Sequence, residues 1–270
     1  MTCPHVTSRI AALNLLRWIR KIANLCDCEL TPYYESMTRR RWLADQVVGD
    51  RAFLLGKNAE HLARVLRGQV GQQFEIATPA GVHLGTILEI DPDRVTFSLT
   101  ELPSSGAAQQ GPLIHLYLAI FKFDRLEWAV EKCTELGASS IVPVIAQRTD
   151  THLAGAAQKR LERWRRIARE AAQQSRRDHA PEVRTPEKLD RVIGEAAGKR
   201  IVLAETERER RLAELVEADS EMSLAIGPEG GWTESELVLF HEHGWIPASL
   251  GSTILRAETA AIAALAVAQA

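Results

Sequence analysis

The chain has 270 residues, of which 46% are hydrophobic and 25% are charged, with a formal net charge of −2 and a pI near 6.5. This composition predicts a globular protein of one large or two ordinary domains and excludes a uniformly basic nucleic-acid binder. The four cysteines form no paired C-x-x-C motif, so neither a zinc site nor a disulfide framework is predicted, and we expect a reducing, cytoplasmic location. No run of eighteen apolar residues is present, so no membrane span is predicted.

The first 36 residues differ in character from the remainder. They contain the basic, amphipathic stretch RIAALNLLRWIRKIANL, which lacks the unbroken apolar segment of a secretory signal. We favour the interpretation that residues 1–36 are an extra segment from a start assigned too early, with Met37 opening the compact protein. A transit peptide is the alternative.

Residues 37–102 have the pattern of a small β domain. The helical stretch NAEHLARVLR is followed by the strand-like runs QQFEIAT, VHLGTILEI and RVTFSLTEL, which PAG and DPD separate. Turn residues at these intervals predict a closed or strongly curved sheet. The small, polar segment 103–112 then reads as a linker.

From residue 113 onwards, strands and helices alternate, which predicts an α/β domain with a mostly parallel sheet over 113–270. The helix DRLEWAVEKCTELG is expected to have Asp124 as its N-cap, with Glu127 three residues on, and to end at Gly137. Cys133 falls on the buried stripe of this helix and is predicted to be a core residue. The long helix that follows has an apolar stripe of Ala157, Leu161, Trp164, Ala168 and Ala171, and Trp164 is also predicted to lie in the core. A charged helix is expected after the strand RIVLAET.

A glycine-rich turn, GPEGG, joins an apolar strand to a helix at 224–240. Its glycines are expected to allow positive φ and close backbone approach, and Thr233 with Glu236 predicts a capping box. Because Glu229 would repel a phosphate, the loop favours a neutral or cationic ligand. A tight turn that binds nothing is the alternative.

A second glycine turn, in LGSTILRAETA, leads into an almost wholly apolar helix. Arg256 and Glu258 are the only charges between Leu250 and Ala270. A helix that is apolar on every face must be buried in the core or against a partner subunit. The two charges therefore lie at the mouth of a buried helix, as functional groups or, alternatively, as a structural ion pair.

These two loops together resemble those of the RsmE family, the 16S rRNA uridine-N3 methyltransferases of the SPOUT superfamily. The similarity extends to KFDRLEWAVEKCTELGASSIVPV, ERWRRIAREAAQQSRRDHAPEV and HLARVLRGQVG, and covers about Thr38 to Ala270. One departure is Arg176, which stands where the family usually has a glycine, so the loop geometry there is open.

The resemblance implies a SPOUT-type methyltransferase domain with a C-terminal trefoil knot, joined to an N-terminal PUA-like β-barrel. It also implies S-adenosyl-L-methionine as the cofactor, and usually a homodimer. By position in the family motifs, three loops would form the cofactor site, with these residues: Leu203, Ala204, Gly227, Glu229, Gly230, Gly231, Leu250, Gly251, Ile254, Leu255 and Arg256.

The expected substrate is 16S rRNA, within the assembled small subunit as the family resemblance suggests. The basic β domain is the expected site of RNA contact, with Arg40, Arg41, Arg64 and Arg67 as candidates. The stretch Lys159–Arg177 carries eight basic and two acidic residues, but a solvated basic face is the usual explanation of such a run.

Uridine N3 is protonated at neutral pH, so its proton must be accepted or its anion stabilised. Arg256 or Arg177 could stabilise the developing oxyanion, and Glu258 or Glu229 could accept the proton. No metal is required. Two alternatives remain open: another SPOUT methyltransferase with a different acceptor atom, and a non-catalytic rRNA-binding assembly factor.

Overall fold

The computed structural model describes residues 41–101, 111–217 and 220–270, which all lie in one compact unit, Arg39–Ala270. The predicted segment 1–36, Arg40 and most of the predicted linker lie outside the described residues. Within the described part of the chain, no helix combines the length and the apolar character that a bilayer crossing needs.

The first described domain is a curled six-stranded sheet. Its strands are β1 (Trp42–Leu43), β2 (Gln46–Val48), β3 (Arg51–Leu55), β4 (Gln73–Thr78), β5 (Gly81–Ile90) and β6 (Arg94–Glu101), in the order β1-β4-β5-β6-β3-β2. All neighbours are antiparallel except β1 and β4. Helix α1 (Gly56–Glu60), continued by a π-helical turn (His61–Val65), supplies Leu62 to a core that also contains Trp42, Phe74 and Phe97. The strongly curved β domain predicted from the turn spacing is confirmed.

The second domain is built on a seven-stranded, wholly parallel sheet. Its strands are β7 (Leu113–Ala119), β8 (Ser140–Ile145), β9 (Glu182–Val183), β10 (Glu187–Lys188), β11 (Lys199–Leu203), β12 (Glu221–Ile226) and β13 (Ile246–Ala248). The order is β10-β8-β7-β12-β11-β13, with β9 also on β8. Strand β12 lies between β7 and β11, where Leu224 pairs with Leu116 on one side and Ile201 on the other. The predicted α/β fold is confirmed.

Helices cover both faces of this sheet. They are α2 (Phe123–Glu135), α3 (Thr151–Gln174), α4 (Leu189–Val192), α5 (Leu212–Leu215), α6 (Glu234–Glu242) and α7 (Ala257–Ala268). One apolar layer joins the sheet to α2, α3 and α7 and contains the fully buried Trp164 and Cys133, as predicted. The other contains Phe240 and Trp245, packed edge to face beside α4 and α6.

Two local predictions are wrong. Asp124 is not an N-cap, because α2 begins at Phe123 with Lys122 in the cap position and no side-chain cap bond. The acidic partner expected in that cap, Glu127, instead accepts a hydrogen bond from Arg163 at 2.7 Å. The charged helix expected after β11 shortens to the four residues of α5. Gly137 does end α2, with φ of 96°.

The basic stretch of α3 is used largely within the protein. Within the described residues its arginines form ion pairs with nearby acids: Arg160 and Arg163 with Glu127, Arg165 with Glu162, and Arg166 with Glu170. Arg169 reaches the β domain, where its Nη2 donates to the Leu43 carbonyl and to Asp45 Oδ1, each at 2.8 Å. Arg169 therefore links α3 to the β domain, and these other arginines pair within the α/β domain.

Glu75 is the centre of a second interdomain contact. Its carboxylate, on β4, pairs with Arg41 Nε at 2.9 Å and with the guanidinium of Arg176. Arg176 has a φ of 59°, in the left-handed region that favours glycine. The loop therefore retains a backbone typical of glycine at this position, while the arginine side chain gains an ion pair.

The C-terminal segment returns from the edge of the sheet to its middle. After β13, the Ser249 amide donates to the Arg210 carbonyl, and the amide of Leu212, the first residue of α5, donates to the Ser249 carbonyl, each at 2.9 Å. Helix α7 then packs on α2 and contacts β7 and β12. This path agrees with the knotted fold implied by the resemblance.

Candidate functional site

A cavity of about 560 Å³ lies at the carboxyl ends of β11, β12 and β13. Loops after neighbouring parallel strands converge at this edge of an α/β sheet, which is where such folds bind ligands. All eleven residues expected to bind a cofactor line this cavity: Leu203, Ala204, Gly227, Glu229, Gly230, Gly231, Leu250, Gly251, Ile254, Leu255 and Arg256. The structure thus brings together three loops that are distant in sequence.

The GPEGG loop turns tightly at one glycine. Gly231 has φ of 69°, and its amide donates to the Pro228 carbonyl at 2.8 Å. Gly227 and Gly230 do not have positive φ, so that expectation is wrong for both. A side chain at either position would contact its neighbours closely. A Cβ on Gly227 would lie 3.3 Å from the Trp232 indole, and one on Gly230 would lie 3.2 Å from Arg148 Cδ, so these neighbours would have to shift.

The predicted capping box at the start of α6 is present. The Thr233 amide donates to Glu236 Oε2 at 2.8 Å, and the Glu236 amide donates to Thr233 Oγ1 at 3.3 Å. Glu236 is only 2% exposed, and its other oxygen accepts from the Gln147 amide at 2.8 Å. The capping box therefore also joins the loop after β12 to the turn after β8.

The third wall of the cavity follows β11 and is strongly charged. It includes Glu205, Glu207, Arg208 and Arg211. The amides of Glu209 and Arg210 donate to Glu207 Oε1 at 2.7 and 3.1 Å and lower the pKa of this carboxyl. The Glu207 carboxylate is thus held in its charged form and accepts hydrogen bonds from the backbone of the turn that follows it.

Arg256 and Glu258 have different surroundings. Arg256 occupies the N-cap position of α7, is exposed and lines the cavity. Glu258 is 5% exposed and does not belong to the cavity wall; its ion-pair partner in the described residues is Arg125, with Nη1 3.8 Å from Oε1. The structural Arg256–Glu258 pair considered as an alternative does not form in the described structure.

Arg177, predicted as a catalytic candidate, lies away from the cavity wall. Its Nη1 donates to the carbonyls of Thr134 and Ala138, at 2.9 and 2.7 Å. Burial lowers the pKa of this guanidinium. In the described chain Arg177 therefore holds the end of α2, and the structure does not bring it to Arg256.

The candidate RNA-binding arginines are also divided. Arg41 is 17% exposed and is held by Glu75 and Asp178 at the domain joint, so it offers little to an external partner. Arg64, 70% exposed, pairs with Glu60 across one helical turn, and Arg67 is exposed. Arg64 lines a cleft of about 1000 Å³ between the domains, which also contains acidic side chains: Glu60, Glu131, Glu135 and Glu170.

Sequence reasoning missed several residues of the cavity. Arg148, Trp232, Arg208 and Arg211 belong to its wall, as does the carboxylate of Glu205. Arg148 lies in the turn after β8, and this position just beyond the end of a strand is the one sequence signal for a place at the cavity. Its contact with Gly230 joins residues more than eighty positions apart, which no local pattern indicates. In the described part of the chain, no group of three or more His, Cys, Asp or Glu side chains could hold a metal ion.

Comparisons with known proteins agree with this arrangement. Residues 109–269 match the family model of the RNA methyltransferase domain. The "Ribosomal RNA small subunit methyltransferase E" of Synechocystis sp. is 35% identical over 82% of this chain and 74% of its own length. The protein of the same name from Mycobacterium bovis is 32% identical, with 80% and 85% covered.

Solved structures give the same result. A Legionella pneumophila methyltransferase, in complex with the bound cofactor SAM, has a TM-score of 0.74 and 29% identity, covering 87% of this chain and 96% of that one. A Neisseria gonorrhoeae ribosomal RNA small subunit methyltransferase E, bound to S-adenosyl methionine, has a TM-score of 0.74 and 27% identity, with 84% and 95% covered. By its cavity, its fold and these matches, the chain belongs to the ribosomal RNA small subunit methyltransferase E family of RNA methyltransferases.

Proposed function

We propose that the protein transfers a methyl group from S-adenosylmethionine to N3 of a uridine in 16S rRNA. The observation that carries this proposal is the single cavity into which the structure gathers all eleven expected cofactor residues. Family membership supports an RNA methyltransferase, and the names of the relatives support small-subunit rRNA as the substrate.

The cavity fits this cofactor in size and chemistry. Its volume is within the range of small-molecule sites. The bare backbone of Gly227 permits close approach of a ligand beside Trp232, and the carboxylates of Glu205 and Glu229 suit a cation. When bound, the cofactor would supply an electrophilic methyl group on a sulfonium.

We assign the catalytic roles in methyl transfer to Arg256 and Glu229. Both are exposed and line the cavity. The planar guanidinium of Arg256 can hold a uracil oxygen as it gains negative charge, and Glu229 can accept the N3 proton. Glu258 is less suited to accept that proton, because it is buried and faces Arg125. We assign Arg177 a bracing role through its two carbonyl contacts.

The wider setting is proposed from the family resemblance. Arg64 and Arg67 are proposed to contact rRNA within the assembled small subunit, in the cytoplasm. A homodimer is proposed to cover the apolar surface of α7, where Ile262 and Val267 are only partly buried.

The test is a comparison of rRNA nucleosides by mass spectrometry between wild-type cells and a strain lacking the protein. Loss of N3-methyluridine from 16S rRNA in the deletion strain, restored by the gene, is expected. Loss of a different methylated nucleoside would instead indicate another acceptor atom. Unchanged rRNA, with no cofactor binding by calorimetry, would favour a non-catalytic assembly factor.

A further inference from the structure

Arg148 makes a contact that neither glycine motif reveals. It lies in the turn after β8 and is exposed along the cavity wall. Its Nη1 donates to the Gly230 carbonyl at 2.5 Å and to the Trp232 carbonyl at 3.2 Å. These two carbonyls flank Gly231, the one residue of the GPEGG loop with positive φ. A single guanidinium therefore holds both sides of the tightest point of the loop.

The turn that carries Arg148 is itself firmly held. Thr149 Oγ1 accepts from the Ala146 amide and donates to the Ile120 carbonyl, both at 3.1 Å. The Gln147 amide donates to the buried Glu236, and the Gln147 side chain contacts Thr233 and Ser235. Arg148 thus projects from a base anchored both to the sheet and to α6.

Steric contact adds to the polar one. A Cβ on Gly230 would be 3.2 Å from Arg148 Cδ and 3.7 Å from its Cβ, so the arginine stem lies directly against the loop backbone. Hydrogen bonds and packing act on the same peptide. Within the GPEGG loop Glu229 and Gly230 are exposed, so the Arg148 contact acts on the part of the loop that has the least packing of its own.

We infer that Arg148 is a positioning residue, which holds the GPEGG loop in the conformation that binds the cofactor. The inference rests on the proposed function and adds a determinant from outside the two C-terminal loops. A loop that is already in its binding conformation binds the cofactor more tightly, because less conformational entropy of the loop is lost on binding. Arg148 acts through the loop, so its removal should affect cofactor affinity before it affects RNA affinity.

The experiment measures S-adenosylmethionine affinity by calorimetry for wild type, Arg148→Ala and Arg148→Lys. We expect Arg148→Ala to weaken affinity at least about tenfold, the scale of losing charge-assisted hydrogen bonds. Arg148→Lys should lose most of the affinity as well, since one ammonium group cannot reproduce the planar guanidinium geometry. Kinetics should show a raised KM for the cofactor and an unchanged KM for RNA.

Arg200→Lys is the matched control. Arg200 also joins two carbonyls, those of Ala196 and His243, at 3.0 and 2.8 Å, but it is not part of the cavity wall. It should leave cofactor affinity unchanged. Melting temperatures of all variants identify any that fail to fold.

A double-mutant cycle keeps the inference testable even if single variants lose some stability. Gly230→Ala should weaken cofactor binding in the presence of Arg148 and should cost clearly less when combined with Arg148→Ala, because the stem it meets is gone. Additive effects, or wild-type affinity in Arg148→Ala, would overturn the role of Arg148. A wild-type protein that binds no S-adenosylmethionine would overturn the proposed function instead.

Discussion

Arg256 and Glu258 lie two residues apart in the sequence, yet their side chains have different surroundings. Arg256 precedes α7 in the sequence, and its place on the cavity wall follows from that position. Glu258, two residues later, turns instead towards Arg125. Because Glu258 does not pair with Arg256, the guanidinium of Arg256 stays available at the cavity.

Arg256→Ala should reduce turnover at least roughly a hundredfold, the scale of losing one preorganised donor to a developing oxyanion. Arg256→Lys should be folded and nearly inactive, because lysine keeps the charge and loses the planar fork. Methyl transfer to 16S rRNA, measured with labelled cofactor, checks both variants. Wild-type turnover in the lysine variant would leave Arg256 with a structural role only.

Cys133 gives a prediction for pH. Burial raises the pKa of its thiol from 9.0 to about 12, so the folded state disfavours the thiolate. Below pH 9 the thiol is protonated in both states and the associated stability is fully present. Between pH 9 and 12 the unfolded chain releases the proton first, so the free energy of unfolding should fall by up to about 1.4 kcal/mol per pH unit.

Denaturant unfolding of wild type and Cys133→Ala between pH 8 and pH 11 measures this effect. The alanine variant should be less stable at pH 8, because it leaves a small cavity, but should lose less stability as the pH rises. Parallel stability curves for the two proteins would contradict the burial of an ionisable thiol at this position.

Elements with strong local signals were predictable from the sequence, and contacts between distant segments were not. The stripe from Ala157 to Ala171 and the capping box of Thr233 and Glu236 depend on spacings of three or four residues, and both are confirmed. The Asp124 cap is wrong because α2 starts before Asp124: the Leu126 amide donates to the Lys122 carbonyl at 2.9 Å, which places Asp124 inside the first turn. The contact of Arg148 with Gly230 joins separate loops, so no spacing rule could find it.

Cofactor binding by the GPEGG loop should be sensitive to a side chain at Gly227, which lies against Trp232. Gly227→Ala would place a Cβ 3.3 Å from the Trp232 indole, so the indole or the loop must shift. We expect cofactor affinity to fall about tenfold or more, together with a loss of stability of roughly 1–3 kcal/mol, the usual scale of overpacking.

Gly155→Ala, within α3, makes the same chemical change where no atom lies within 4 Å. It should preserve cofactor affinity and increase stability by up to about 1 kcal/mol through helix propensity. Calorimetry and thermal unfolding of the two variants compare the sites directly. Equal cofactor affinity in Gly227→Ala and wild type would show that the loop tolerates a side chain there.

At the scale of the whole molecule, charge joins domains rather than marking one RNA face. Arg169 and Arg176 of the basic stretch contact the β domain, and four further arginines are paired on or beside α3. Composition alone could not show which of these arginines pair with acids of the same chain. Of the arginines predicted to bind RNA, Arg64 and Arg67 are exposed in the described structure, and Arg64 pairs with Glu60 one helical turn away.

Reversing Arg64 and Arg67 to Glu should weaken RNA binding, with cofactor affinity unchanged. The salt dependence of binding should also become shallower, by roughly one unit of slope for each phosphate that is no longer neutralised. Arg191→Glu is the control for Arg64→Glu, since Arg191 is equally exposed and likewise pairs with a glutamate one turn away, but lies in the α/β domain. RNA binding measured across salt concentrations is the readout. Equal weakening in both single variants would indicate a general charge effect.

The position of β12 also bears on how the chain is made. Strand β7 lies at the centre of the sheet, yet its neighbour β12 is synthesised long afterwards, with Leu116 pairing with Leu224. On the ribosome, one edge of the nascent β7 must therefore keep its backbone amides and carbonyls without their β12 partners while the intervening helices emerge. Exposed strand edges promote intermolecular pairing, and such distant contacts form slowly. Newly made chains should accordingly be most prone to pairing with one another before β12 takes its place beside β7.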